Sequence, residues 1–352
     1  MIDWLSFRAP FPHPHHISDG SVISHRADGS IEWRTHKRAT VTGSFRVGLQ
    51  VRTSSQGPPP EEGLFQTIEI SGNPCKFFQG HNLWGTDDLP SLVVATLEAV
   101  AHHLGVIIPP ATRQQWESGE IDLSRVDVTE SFHLESLAQV LAWLRAAEQT
   151  ANLPHRGRGQ LTKGSTLYFG KNSRRWSLKL YAKGQEITAK GHGQDAILEL
   201  PSCLEWAAKA LRAELTLRSM ELKRINLSRV SDWLPVDGVP SQVTAQLLLN
   251  HLGDMTMTTS SLNTEVLKSL RPALRIAYQS WEAGNDLRQT LSRPTFYRYR
   301  KALLPYGVDI ATILPKEVSN VVPLYRVLEA KPAPIPDWAY GTKLYFEPRK
   351  IA

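Results

Sequence analysis

With 352 residues, 41 % hydrophobic and 21 % charged, the chain can bury a large core and has room for two domains. A net charge of +6 and a pI near 9.3 suit a phosphate-rich partner. Two cysteines, Cys75 and Cys203, without a CxxC pair exclude a disulfide framework and a cysteine zinc site; they fit a reducing cytoplasm. The amino-terminal stretch MIDWLSFRAPFPHPHH lacks the apolar run of a signal peptide. The longest apolar stretch, 92–108, is broken by Glu98, His102 and His103, so no membrane span is expected.

In chain order, 2–7 reads as a strand; Pro14 argues against a central strand at the following H-P-H, which is not expected to bind metal. Residues 31–51 read as two strands around Gly43, and 57–63 as a loop. The strand 65–71 places Thr67, Glu69 and Ser71 on one face. Residues 76–89 pass through a glycine-bounded turn holding His81 and Asn82. Thr86 to Asp88 cap the next helix, with Pro90 in its first turn. The strand 123–130 turns Arg125, Asp127 and Thr129 to one side, and 135–149 is an amphipathic helix.

A hairpin follows, with strands 165–169 and 175–183 around a polar turn that includes Arg174. In the second strand Trp176, Leu178, Leu180 and Ala182 face one way; Ser177, Lys179, Tyr181 and Lys183 face the other. From 155 to 183 there are eight Lys or Arg and no Asp or Glu. Such a field attracts polyanions and is expected to favour a phenolate at Tyr181, a nucleophile for a phosphodiester. The ordinary alternative is a surface tyrosine between solvated lysines.

Residues 201–211 read as a helix and 212–218 as a strand carrying Arg212, Glu214, Thr216 and Arg218 on its polar face. Three strands thus carry one acid each, Glu69, Asp127 and Glu214, and a fourth carries Tyr181. If they share a sheet, the acids could hold a hard divalent cation; spacing alone favours ordinary pairing, as of Asp127 with Arg125. Residues 231–241 form a proline-containing junction. Beyond it 242–252, 264–283 and 286–291 read as helices, and Ser292 caps the basic helix 293–304, with Pro294 in its first turn. Phe296, Tyr299 and Leu303 lie on one face of that helix, and Arg293, Tyr297, Arg300 and Lys301 on another. The short helix, turn and basic helix resemble a helix-turn-helix; a solvated basic face is the alternative. The proline-rich tail reads as an extended strap. The expected fold class is α+β: an antiparallel sheet with covering helices over 1–228, then a helical domain over 229–352 that would bind DNA if its basic helix works as a helix-turn-helix.

Several stretches together resemble the replication-initiation proteins of filamentous phages, the gene II/X type. They are MIDWLS, QGHNLWGTDDL at 79–89, LSRVDVT at 123–129, the hairpin ending in LKLYAK, RAELTLR, RPTFYRYRKALLPYGV, NVVPLYR and PDW. The resemblance runs nearly end to end. It implies an enzyme that nicks one strand of double-stranded origin DNA, joins a tyrosine to the 5′ phosphate, and later rejoins the displaced single strand. The family's tyrosine falls on Tyr181, with Lys179 and Lys183 beside it. Similarity to Rep_trans plasmid initiators implies a Mg²⁺ or Mn²⁺ role for Asp127 and Glu214, and also for Glu69. DNA contacts fall on His81, Asn82, Arg125, Arg174, Arg175, Arg293, Tyr297, Arg300 and Lys301. Trp84, Tyr168 and Trp176 are candidates for stacking on single strands.

The histidine doublet of many rolling-circle nickases is missing, which leaves His81 open as a ligand or phosphate contact. No second tyrosine lies one helical turn away, and no GxxxxGK[ST] occurs, in keeping with ATP-free resealing. Host helicase and polymerase, an oligomer on DNA and the bacterial cytoplasm complete the expectation. The rival readings are a non-catalytic DNA-binding regulator and a plasmid-type initiator.

Overall fold

The computed structural model describes residues 1–54, 63–153, 156–189, 194–235, 243–253, 256–257, 264–283, 285–306, 308–311 and 332–351. Its strands are β1 (Ile2–His13), β2 (Ser21–His25), β3 (Ile31–His36), β4 (Ala39–Thr42), β5 (Gly48–Thr53), β6 (Phe65–Gly72), β7 (Asp122–His133), β8 (Ala151–Leu153), β9 (Gly157–Arg158), β10 (Gln160–Thr162), β11 (Thr166–Phe169), β12 (Trp176–Ala182), β13 (Ala210–Arg218) and β14 (Thr256–Met257). Nine of these form one antiparallel sheet in the order β10-β11-β12-β13-β7-β1-β6-β5-β4. β2 and β3 form a separate hairpin, and β14, β8 and β9 a small sheet.

The helices are α1 (Pro74–Gln79), α2 (Leu89–Leu104), α3 (Pro110–Glu117), α4 (Leu137–Thr150), α5 (Lys183–Thr188), α6 (Asp195–Leu198), α7 (Pro201–Lys209), α8 (Ser219–Arg224), α9 (Val243–Gly253), α10 (Thr264–Ser269), α11 (Pro272–Glu282) and α12 (Arg293–Leu303). The α+β class with a large antiparallel sheet is therefore as expected. Among the described residues no helix is long and apolar enough to cross a membrane.

Alternation explains the sheet. On one face Leu5, Phe7, Val126, Val128, Leu178, Leu180, Leu215 and Leu217 are buried and pack with Leu92 and Leu97 of α2, Trp143 and Leu144 of α4, and Leu247 and Leu248 of α9. Each such side chain contributes about 1.5–3 kcal/mol on leaving water. β1 is longer than the sequence suggests, because its alternation continues through two prolines. This is tolerated because β1 pairs with β7 only as far as Arg8, so Pro10 pairs with β6 alone. On the vacant side the Trp116 indole donates to the Pro10 carbonyl at 2.7 Å.

α2 begins as read: Asp88 accepts from the Ser91 amide at 3.0 Å, Pro90 lies in the first turn, and Gly105 closes the helix at φ 64°. α12 begins after Ser292, but the Ser292 hydroxyl donates to Thr295 at 3.0 Å instead of capping. Other expectations change. Residues 31–51 hold three strands, not two. α1 and α3 were not foreseen, although each starts with a proline in its first turn. The expected helix 264–283 is split by Pro272, which cannot continue the ladder. Residues 286–291 are turn. Lys183 does not extend the strand: it opens α5.

Val230 and Trp233 join the main core, as do Leu247, Leu248 and Leu252. Leu274, Tyr278 and Trp281 of α11 pack separately, with Phe296, Leu303, Val308 and Ile310. A third group ties Trp206 of α7 to Leu83, Trp84 and Ala339 of the tail. These groups do not themselves divide the chain, so the boundary at 228/229 stays an expectation. The NVVPLYR motif and most of 57–63 lie outside the described residues.

Candidate active site on the polar face of the sheet

The other face of the central strands is polar, and the register sorts it into rows of side-by-side neighbours. Thr166, Tyr181, Arg212 and Ser131 form one row. Tyr168, Lys179, Glu214 and Thr129 form the next. Ser177, Thr216, Asp127 and Trp4 form the third. Glu214 is thus one strand and one row from Tyr181, roughly 8 Å between Cβ atoms. Asp127 is two strands and two rows away, roughly 16 Å. Glu69 lies two strands beyond Asp127, opposite Arg8, and is held by Arg52 at 2.7 Å and Arg38 at 3.6 Å. It does not belong to the group expected around Tyr181.

Tyr181 is only 2 % exposed. The Lys179 ammonium lies 4.1 Å from its ring centroid and that of Lys183 6.0 Å, so both lysines meet the ring. Burial pushes the phenol well above its usual range, and Glu214 adds to the rise; Arg212 opposes it. This reverses the expected lysine-stabilised phenolate. Desolvation outweighs the cations, and the Lys179 charge is spent on Glu214 at 3.0 Å. Burial works against the Lys179 ammonium too, but Glu214 overrides it and raises its pKa.

Lys183 is completely buried and donates to Asn82 Oδ1 at 2.7 Å and Glu186 Oε2 at 2.5 Å. Burial brings its ammonium down to about 7, although Glu186 pulls the other way. Burial also penalises the Glu186 carboxylate, yet Lys183 and Lys76 hold it at about 2. Asn82 donates to Asp3 at 2.7 Å, and Asp3 accepts also from Asn73 at 2.8 Å. The Arg212 guanidinium donates to the carbonyls of Asn82 and Leu83. Asp3, Glu186 and Arg212 were missed as site residues. Asp3 sits in MIDWLS without alternation to mark it, and Glu186 follows a strand that ends earlier than read.

The QGHN stretch, expected on DNA, is internal. His81 and Asn82 are 0 % and 3 % exposed. His81 accepts from the Leu83 amide at 3.2 Å and bonds the Leu344 carbonyl at 2.9 Å; burial lowers its pKa to about 4. Trp84 donates to the same carbonyl at 2.8 Å and is buried, so it offers no stacking face. Gln79 accepts from the Phe346 amide at 2.9 Å. These groups seat the carboxy-terminal tail, which explains their polarity without a ligand.

Arg125 grips Asp127 with both arms of its fork, at 2.8 and 2.5 Å, and its guanidinium lies 5.1 Å from the centroid of the Trp4 ring. Burial pushes the Asp127 carboxyl up to about 7, against Arg125 and with Glu214 and Asp3. Asp3, Asp127 and Glu214 supply the oxygen donors a hard cation takes. As they stand, no three such side chains among the described residues are gathered closely enough to hold one.

A family model for the amino-terminal part of the gene II replication-associated protein matches residues 1–235, and a model for the carboxy-terminal part of the same protein matches residues 259–345. The chain belongs to the gene II replication-associated family. It is 40 % identical over 346 residues to the gene II replication-associated protein of Enterobacteria phage I2-2, covering 96 % of this chain and 95 % of that one. The corresponding replication-associated proteins of Enterobacteria phages M13 and f1 are each 24 % identical over 327 residues, covering 79 % of this chain and 78 % of theirs. Among solved structures, a rolling circle replication initiator protein from Geobacillus stearothermophilus aligns at 15 % identity with a TM-score of 0.30, over 89 % of this chain and 98 % of that one.

In this gene II-family chain the remaining candidates separate by exposure. Arg174 and Arg175 are exposed in the hairpin turn. On α12, Arg293, Tyr297 and Lys301 are exposed at helical spacing and form one stripe. Arg300 does not join it: its fork holds Asp309 at 2.7 and 2.8 Å, and that carboxylate raises its pKa. Tyr168, half-buried with Lys171 4.9 Å from its ring centroid, stays on the sheet's polar face.

Proposed function

We propose that this gene II-family chain initiates rolling-circle replication by nicking one strand of double-stranded origin DNA through Tyr181. The observation that supports it is a tyrosine on a polar sheet face, diagonal to Glu214 and overlain by a buried lysine brought down to about 7. The Tyr181 oxygen attacks the scissile phosphorus while its proton passes to neutral Lys183. The P–O3′ bond breaks, the 3′ oxygen takes a proton from water and leaves as a hydroxyl, and the phosphate stays on Tyr181 as a 5′ diester. The reverse attack by a 3′ hydroxyl releases Tyr181 and rejoins the strand.

Glu214, the acid nearest Tyr181 on this face, would offer an oxygen to Mg²⁺ or Mn²⁺, with Asp127 and Asp3 having to move toward it; the ion would supply positive charge beside the phosphate. Lys179 then leaves Glu214 for a phosphate oxygen. We further propose that the exposed stripe of α12 and the hairpin arginines meet duplex DNA. Host helicase and polymerase extend the 3′ end in the bacterial cytoplasm, and an oligomer on DNA remains part of the proposal.

The test is incubation with supercoiled origin DNA and Mg²⁺, followed by denaturing separation of protein-linked DNA. A covalent adduct that disappears in Tyr181→Phe, with duplex binding intact, is the expected result. An adduct that persists in Tyr181→Phe moves the nucleophile elsewhere. Binding without any adduct favours the DNA-binding regulator, a reading consistent with the burial of Tyr181.

A further inference from the structure

A cavity of about 1060 Å³ opens at the start of β12, lined by residues of β12, α8 and α9. It lies on the side of the strand opposite Tyr181, because Trp176 shares its face with Leu178 and Leu180. Trp176 forms one wall. The Arg156 guanidinium lies 4.3 Å from its ring centroid and the His251 ring 4.7 Å away, nearly perpendicular at 80°. Arg175, exposed beside Trp176, lines the cavity too.

Glu221, 1 % exposed, lines the same cavity, and its charge is felt by Arg156. Its Oε1 accepts from Arg224 at 3.0 and 2.5 Å. Its Oε2 is buried and has no hydrogen-bond partner among the described residues. A buried carboxylate oxygen without a donor is costly, and its residue, Glu221, is one of those that line the cavity. The lining therefore asks for three things at once: a flat ring beside Trp176, N–H donors for Glu221, and an anion near Arg175 and Arg156.

We propose that this cavity binds one nucleotide of single-stranded DNA, a guanine whose N–H edge meets Glu221. Guanine carries adjacent donors, N1–H and the 2-amino group, on one edge. Thymine flanks its single N–H with two carbonyl oxygens, which a carboxylate repels. Cytosine and adenine offer an amino group beside a bare ring nitrogen. A stacked base with its phosphate toward arginines is the usual composition of single-strand contacts.

The proposal rests on the reading that the chain acts on DNA, and its test reads binding without cleavage, so that the two can fail separately. Dye-labelled pentathymidylate is compared by fluorescence anisotropy with the same pentamer carrying a central guanine or inosine, without divalent cation. In the wild-type chain guanine should tighten binding about tenfold. Inosine, which lacks the 2-amino group, should lie between. Glu221→Gln, nearly isosteric and still able to accept from Arg224, should abolish most of the preference; Trp176→Leu should weaken every pentamer. Tyr181→Phe should keep the preference even where the adduct is lost. Equal affinity of the guanine and thymine pentamers for the wild-type chain overturns the proposal without any variant. So does a preference that survives in Glu221→Gln.

Discussion

Lys183 should set the pH dependence of nicking. As a proton acceptor it works only when neutral, and burial has lowered its ammonium to about 7. The rate should therefore rise with pH and level off above that value. Two pH units below the midpoint about one molecule in a hundred carries neutral Lys183. The rate there should be about a hundredfold lower, equivalent to ~2.7 kcal/mol. Glu186, 2.5 Å from the ammonium, favours its charged form. Glu186→Gln removes that attraction, so the midpoint should move to lower pH while the plateau stays. Lys183→Met removes the acceptor; a loss of about 10²–10⁴ and a flat profile should result. The assay is single-turnover adduct formation on supercoiled DNA already bound to the protein, quenched at intervals between about pH 5 and 9. A Glu186→Gln midpoint that stays in place or moves upward would refute Lys183 as the acceptor.

Glu214→Gln should lose adduct formation while still binding DNA, with part of the loss restored by excess Mn²⁺; metal titration of the variant checks this, and an unchanged metal requirement would remove Glu214 from the site. Arg300→Ala should lower the thermal midpoint, because the Asp309 carboxylate, 5 % exposed, loses its ion-pair partner and keeps only the Ala311 amide. Lys301→Ala should leave the melt unchanged and reduce the salt slope of duplex binding by about one, as read from affinities at several salt concentrations. His81→Ala should speed amide exchange around Leu344 to Phe346, since it loses the 2.9 Å bond to the tail; a loss of DNA affinity with tail protection intact would instead return His81 to the DNA.

Side-chain alternation made much of this fold legible. The strand carrying Tyr181, the strand carrying Glu214 and the one carrying Asp127 were all visible because a half-buried antiparallel strand must alternate. So were the cap of α2 and the start of α12, where a short polar residue precedes a proline. Strand order was not visible. That β7 lies between β13 and β1, and so separates Asp127 from Tyr181 by two strands, depends on contacts far apart in sequence. The same holds for QGHN: its partner, the tail at Leu344 to Phe346, is 263 residues beyond His81. Glycines, a histidine and an amide look the same in a list whether they face a ligand or bind a returning segment of chain.

The larger misreading concerned charge, and it bears on the chemistry. Lysines two residues either side of a tyrosine suggest a phenolate only if the three are solvated alike. Burial changes the balance, because it penalises the phenolate and the Lys183 ammonium together. The outcome is a neutral phenol beneath a lysine that titrates near neutrality. Under the proposed mechanism, a tyrosine held protonated would attack only once a phosphate diester drew Lys179 from Glu214 and Lys183 could accept its proton. The pH profile of Glu186→Gln therefore tests more than one lysine: it tests whether desolvation or the lysine charges govern the nucleophile.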